Sequence, residues 1–219
     1  MTKLEKWGKY WENLQTPLHR SNGDNFYPQY AAELKILIHD RKPYRVLELG
    51  CGNGDLYQYM DFDKAALYKG IDFSAAMLAD FHQKYPQVDL ACGDAAAYRD
   101  NLKYDLIWSN GVIQYFDRQM LANNFANARS MMDKDSLFVC ASVPWRLHKF
   151  SSMTGESYGI KKNVAKGMVN YVKNIFKDSM GTWYDLDLIR DIAAANSMSV
   201  EFFASMHYMY RFHVVLKLV

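Results

Sequence analysis

Apolar and polar positions along the chain alternate between two periods, and the switches between them mark the elements. Ala31, Leu34 and Ile38 fall on one side of a helix that the spacing predicts from Pro28 to about Arg41, with proline in its first turn. RVLEL (45–49) is a short apolar run bounded by turn residues, which predicts a buried strand. ALYKGID (66–72) predicts the next strand, followed by a helix from Ser74 to Tyr85 with Ser74 as its cap. VDLACGD (88–94) and DLIWSN (105–110) predict a third and a fourth strand, the latter followed by a helix from about Asp117 to Met132. SLFVCASV (136–143) predicts a fifth strand, stopped by Pro144. A helix over Asp185–Asn196 and strands near Val200–Ala204 and Phe212–Leu218 complete the series. Strands alternating with helices imply a parallel sheet with right-handed crossovers. The last two strands are separated only by residues around Met206–Tyr210, too few for a crossover helix, so they are expected to pair as an antiparallel hairpin. The expected fold is α/β, a doubly wound sheet with one reversed strand near its edge.

Composition narrows the class. The chain of 219 residues suits a single domain, 1–219, large enough to bury a core without a disulfide or metal staple. A net charge of +2 argues against a polybasic nucleic-acid binder. Cys51, Cys92 and Cys140 are far apart and form no CxxC pair, so neither a disulfide framework nor a zinc site is expected. MTKLEKWGKYWENL lacks the apolar run of a signal peptide, and no apolar stretch is long enough to span a membrane. The expected location is the cytoplasm.

The most informative segment is VLELGCGNG (46–54), a buried strand running into glycines 50, 52 and 54. Glycine admits positive φ and lets backbone approach a ligand closely, and open α/β sheets bind ligands at the carboxyl ends of their strands. The spacing is GxGxG. The third glycine of the dinucleotide fingerprint would fall at position 55, which is Asp55, and there is no Gly-Lys-Ser/Thr ending of a P-loop. Glu48, two residues before the first glycine, would repel a pyrophosphate but suits a ligand with an ammonium group. Asp72 ends the second strand, where a carboxylate can accept hydrogen bonds from ribose hydroxyls. Asp94 ends the third, where it can meet an adenine amino group.

These segments, together with GIDFS, CGDAAAY, YDLIWSNGVIQYFD and SLFVCASVP in that order, resemble the class I S-adenosylmethionine-dependent methyltransferases of small-molecule type. The likeness covers residues 45–144 well and the last strands loosely. It implies a seven-stranded, mostly parallel sheet of order 3-2-1-4-5-7-6 with the last strand antiparallel, and S-adenosyl-L-methionine as cofactor. It also implies that Glu48, Gly50, Gly52 and Gly54 line the methionine and ribose part, with Cys51 in the same loop. Asp72 would hold the ribose hydroxyls beside Phe73, Asp94 and Ala95 would take the adenine edge, and Ser109, Asn110 and Gly111 would face the sulfonium side. The thiols of Cys51 and Cys92 read as small packing groups rather than nucleophiles.

The acceptor is less legible. Ser109-Asn110-Gly111-Val112 stands where methyltransferases of nucleic-acid bases carry an Asp/Asn/Ser-Pro-Pro-aromatic motif, and the Pro-Cys nucleophile pair of cytosine-C5 enzymes is absent. Asn110 also replaces the carboxylate of metal-dependent relatives, so neither a nucleic-acid substrate nor a metal is expected. Specificity in the family lies in an N-terminal cap, here 1–42, and a lid after strand 5, here 144–182. The lid carries seven basic and two acidic residues. Lys162, Lys166, Lys173 and Lys177 gather on one side of a helical period, opposite Val164, Met168, Tyr171, Val172 and Ile175. Three readings stand: a packed lid helix with solvated lysines, attraction of an anionic substrate, or contact with an acidic membrane surface.

His148 and His19 are the candidate bases, whereas His207 and His213 are expected to be structural. Tyr30, Tyr115, Trp145 and Trp183 are the preferred substrate-facing aromatics among a set that also includes Tyr10, Trp11, Tyr27 and Tyr184. The expected function is methyl transfer to a small molecule, a sugar or other hydroxylated metabolite. The alternatives are a nicotinamide-dependent oxidoreductase and a non-catalytic cofactor-binding module. Oligomeric state is left open.

Overall fold

The structure, a computed structural model, describes residues 26–38, 45–154, 169, 172 and 181–219. Its elements are α1 (Phe26–Ile36), β1 (Arg45–Leu49), β2 (Leu67–Asp72), α2 (Ala75–Lys84), β3 (Asp89–Cys92), β4 (Tyr104–Asn110), α3 (Arg118–Ser130), β5 (Met132–Pro144), α4 (Lys149–Thr154), α5 (Leu186–Ala195), β6 (Met198–Ala204) and β7 (Arg211–Leu218). The sheet order is β3-β2-β1-β4-β5-β7-β6. The first five strands pair in parallel, and β7 runs antiparallel to both β5 and β6. The expected doubly wound fold and the reversed strand near its edge are both present.

Local chemistry sets the helix starts. The Ser74 hydroxyl accepts from the Met77 amide at 3.4 Å, and the Asp117 carboxylate accepts from the Met120 amide at 2.9 Å. Each cap is worth about 1 kcal/mol. Asp185 stands at the cap position of α5, but its carboxylate bonds the Arg146 guanidinium at 2.8 Å instead. Element bounds differ from expectation in places, and β3 ends at Cys92 rather than Asp94. α1 begins at Phe26, before Pro28, and β5 begins at Met132 rather than Ser136. The β1–β2 crossover holds turns and a 3-10 turn at Phe62–Lys64, with Asp61 left-handed at φ 58. Most of the expected lid, and its lysine period over 162–177, lies outside the described residues, as do Tyr10, Trp11 and His19.

The sheet separates two apolar layers by strand alternation. Leu47, Ile107, Phe138, Val214 and Leu216 face α3 and α5, where Phe125 and Ile189 meet them. Val46, Leu106, Trp108, Val139 and Val215 face the other side, against Leu34 of α1, Phe62 and Phe81. Burying an aromatic or large aliphatic side chain of this kind stabilises by ~1.5–3 kcal/mol. Among the described residues no helix is long and apolar enough to cross a membrane.

A carboxylate of α1 enters the second layer. Glu33 of α1 is 5% exposed. The backbone amides of Met206 and His207 donate to it at 2.7 and 3.1 Å, and His213 Nε2 meets it at 2.8 Å. The His207 ring also contacts it. The two histidines expected to be structural therefore clasp one carboxylate. Burial alone would raise the Glu33 pKa, but these donors hold it down at about 2, against an ordinary value of 4.5. The sign follows: the ionised carboxylate stabilises the fold fully above about pH 4.5, and that contribution is lost as pH falls through about 2. Glu33→Gln is expected to cost about 2–4 kcal/mol at pH 7 in urea unfolding. The gap from wild type is expected to narrow as pH falls from 4.5 towards 2; a pH-independent gap would show that charge at position 33 is not the cause.

Candidate active site

The site is built at the carboxyl ends of β1, β2 and β4. Gly50, Gly52 and Gly54 have φ of 77, 54 and 75°. At Gly50 the amide bonds the Ile71 carbonyl at 2.6 Å, and a Cβ would lie 2.3 Å from Val112 Cγ2. At Gly54 a Cβ would strike the Phe81 ring at 2.6 Å. Gly52 differs, because a Cβ there would meet nothing within 4 Å. The loop thus packs at both ends and faces open space in the middle.

Asp72 fixes that middle. Its Oδ2 accepts from the Gly52 amide and its Oδ1 from the Ser74 amide, both at 2.9 Å. Each oxygen keeps lone-pair capacity for a further donor. Burial still raises its pKa above the ordinary value, opposed by these amides. Glu48 is buried beside the loop, with the Tyr68 hydroxyl donating to its Oε2 at 2.5 Å. Burial outweighs that one bond, and the nearby Asp72 charge adds to it, so the Glu48 pKa is pushed up to about 8. Without a cationic partner Glu48 is mostly protonated at neutral pH.

The loop after β3 is held from its other side. Asp94 caps it through the Ala96 amide at 2.9 Å, and Asn124 of α3 donates to the Ala95 carbonyl at 2.8 Å. Phe73 is half-buried next to Asp72. Cys51 is buried, as expected for a packing thiol. Cys92 is exposed and directs its thiol to the Phe73 carbonyl at 3.6 Å, which corrects the packing role expected for it: it ends the edge strand β3, where no layer covers it.

Ser109 is buried with its hydroxyl on the Val139 carbonyl at 3.4 Å. Asn110, which ends β4, and Gly111, which follows it, are half-buried rather than buried. The Asn110 Oδ1 accepts from the Tyr30 hydroxyl at 2.8 Å, and Gly111, at φ 68°, would place a Cβ in open space. Tyr30 is buried between Phe26, His207 and Tyr208.

The other sequence candidates divide. Tyr115 ends the 3-10 turn Ile113–Tyr115 that follows β4. Trp145 follows β5 and packs on Phe212 and on the His148 ring, 4.8 Å between centroids for the latter. His148 closes the short turn Arg146–His148 in that contact. Trp183 is buried, with Tyr210 at 6.0 Å and the Lys149 ammonium over its ring at 5.8 Å. Tyr27 bonds Asp55, and the buried Tyr184 hydroxyl donates to the Ile113 carbonyl.

Sequence reasoning passed over Gln114, Ser142 and Arg211. Ser142 has φ 59° in β5 where the pairing with β7 shifts register. Its amide donates to His213 Nδ1 at 3.1 Å, and its carbonyl accepts from Arg211 at 2.5 Å. Bulges of this kind re-aim backbone beside functional sites. No local sequence signal marks the bulge, because Ser142 sits inside a continuous strand pattern. Among the described residues no cluster of three or more His, Cys, Asp or Glu converges as a metal site.

Residues 46–135 match the family described as a methyltransferase domain. Over that segment the chain is similar to a methyltransferase domain. A malonyl-[acyl-carrier protein] O-methyltransferase of Ilyobacter polytropus is 33% identical over 113 residues, 46% of this chain and 42% of that protein. A trans-aconitate 2-methyltransferase of an Acidovorax strain is 33% identical over 87 residues, 39% of this chain and 33% of that one. The chain thus spans less than half the length of these curated relatives. The structure of magnesium protoporphyrin IX methyltransferase from Synechocystis, with bound S-adenosylmethionine, superposes with a TM-score of 0.67 at 15% identity, over 100% of this chain and 98% of that one. At that identity the likeness is one of fold. The geometry of the glycine loop bears on this likeness. A Cβ would meet nothing within 4 Å at Gly52 or at Gly111, and the Glu48 and Asp72 carboxyl groups are buried at the ends of β1 and β2.

The three glycines are expected to respond differently to alanine. Gly52→Ala adds only left-handed strain, about 1–2 kcal/mol. Gly50→Ala adds the overlap with Val112 as well and is expected to lower the unfolding midpoint further. Equal losses in thermal unfolding would show that packing against Val112 does not constrain the loop.

Proposed function

We propose that this protein transfers a methyl group from S-adenosylmethionine to a small-molecule acceptor. The observation that carries this reading is the pair of buried carboxylates, Glu48 and Asp72, bracketing a glycine loop whose middle faces open space. When bound, S-adenosylmethionine supplies a methyl group on a cationic sulfur, activated for in-line displacement. The residues supply binding, orientation and exclusion of water. Glu48 is placed for the amino-acid end, where an ammonium group favours its ionised form. Asp72, locked by two amides, is placed for the ribose hydroxyls. Phe73, Asp94 and Ala95 lie along the strand ends where an adenine would rest, and Asn110, held by Tyr30, lies at the end of β4 with Gly111.

The matched relatives are named for malonyl-[acyl-carrier protein] and trans-aconitate, which supports a small molecule as acceptor. A hydroxylated metabolite such as a sugar is the acceptor first expected from the sequence. It would need a base, for which His148 beside Trp145 is the described candidate.

Calorimetric titration with S-adenosylhomocysteine tests the cofactor reading. Wild type is expected to bind in the micromolar range and Asp72→Ala about 10–100-fold more weakly. Absence of binding to wild type, with binding of NAD(H), would replace the reading with the oxidoreductase alternative. Glu48 adds a pH signature. Below about pH 8 its carboxyl must lose a proton to pair with the ligand ammonium, so affinity is expected to rise from pH 6 to 8. Repeating the titration at pH 7 in buffers of different ionisation enthalpy is expected to show proton release in wild type and none in Glu48→Gln.

A further inference from the structure

Arg211 opens β7, and because β7 runs antiparallel to β5 it lies opposite Pro144 at the carboxyl end of β5. That places it at the same sheet edge as Asn110. The two are linked by a short chain of contacts. Tyr30 donates to Asn110, the Tyr30 and Tyr208 rings lie 5.6 Å apart, and the Arg211 guanidinium stands 5.7 Å over Tyr208. It also stands 5.3 Å over Tyr210. Its NH1 donates to the Ser142 carbonyl at 2.5 Å and to the Gln114 side-chain oxygen at 2.9 Å. Nε and NH2 make no hydrogen bond among the described residues.

Three features distinguish this cation from a surface arginine. It is half-buried, yet among the described residues it forms no ion pair with a carboxylate. Its neighbours are neutral acceptors and aromatic faces, which hold a guanidinium in place without cancelling its charge. Its position is fixed by the backbone departure at Ser142, a non-glycine residue in the left-handed region, whose carbonyl meets NH1. The next ring along, Trp183, packs on Tyr210, and its buried indole N–H has no acceptor among the described residues. A fixed planar cation with no ion-pair partner among the described residues and with donors to spare matches the geometry of a carboxylate.

We propose that Arg211 is the acceptor-binding residue of this site, and that the acceptor carries a carboxylate held by its guanidinium. The inference rests on the methyltransferase reading and narrows its acceptor class. Gln114 and Ser142 act as positioning residues that orient the fork, with Tyr208 and Tyr210 flanking it.

The test uses the full chain loaded with S-adenosylhomocysteine, titrated with succinate, citrate and benzoate, each beside its amide. At least one carboxylate is expected to bind, its amide at least tenfold more weakly. Arg211→Gln is expected to weaken the carboxylate by about 10–100-fold while leaving affinity for S-adenosylhomocysteine within twofold of wild type. Arg211→Lys keeps the charge without the fork and is expected to fall between the two. Failure of every carboxylate to bind, no preference over the amides, or undiminished binding to Arg211→Gln would each overturn the proposal while the cofactor site stands. Failure of S-adenosylhomocysteine to bind wild type would instead overturn the methyltransferase reading on which it depends. Thermal unfolding of each variant separates a local loss of binding from a loss of fold.

Discussion

Glu33 brings a negative charge into the interior at the junction of α1 and the terminal hairpin, and donors from that hairpin meet it there. A buried carboxylate with so many N–H partners has one satisfactory position. That constraint propagates. His213 faces Glu33 with Nε2 and accepts the Ser142 amide with Nδ1, so its ring proton belongs on the Glu33 side. Ser142 is thereby held out of the β5–β7 ladder, and its carbonyl is turned to Arg211. One turn back along α1, Tyr30 holds Asn110 at the end of β4. The position of one carboxylate thus bears on both strand ends that frame the acceptor side.

Glu48 makes the contrast. It is as buried as Glu33, but its one described hydrogen-bond partner is the Tyr68 hydroxyl, and its pKa is pushed up to about 8 where that of Glu33 is held near 2. Burial acts in the same direction on both. The number and kind of donors decides the outcome. Glu33 is satisfied within the chain and serves the fold, whereas Glu48 has no cationic partner among the described residues and is suited to receive one. Arg211 shows the same logic with the sign reversed, a cation in place without a described anion. One side of the site thus holds a buried carboxyl group that an ammonium would ionise, and the other a guanidinium with no carboxylate paired to it among the described residues.

Much of this was legible in the chain. The strands, the reversed β7, the glycine loop and the carboxylates at the ends of β1 and β2 follow from periodicity and spacing, since each depends on residues close in sequence or on a fixed rule of connection, whereas the strand order came from the resemblance to a known family. Asn110 ends β4 as expected, whereas Asp94 lies in the loop two residues beyond the end of β3. Cys92 was misjudged because alternation along a strand does not reveal that the strand is the sheet's edge. Ser109 was placed among the ligand-facing residues, and its hydroxyl instead meets a neighbouring strand.

The sequence by itself determined the elements, their order and the cofactor loop. These rest on hydrophobic period, turn residues and the restricted conformations open to a strand running into glycines. Only the tertiary structure decided the acceptor side. Glu33 and His213 are 180 residues apart, Tyr30 and Asn110 are 80 apart, and Arg211 meets Gln114 across 97. Each partner looks like an ordinary surface or core residue in its own segment. Whether a buried charge is met or left waiting depends on what the fold packs against it, and local patterning carries no record of that.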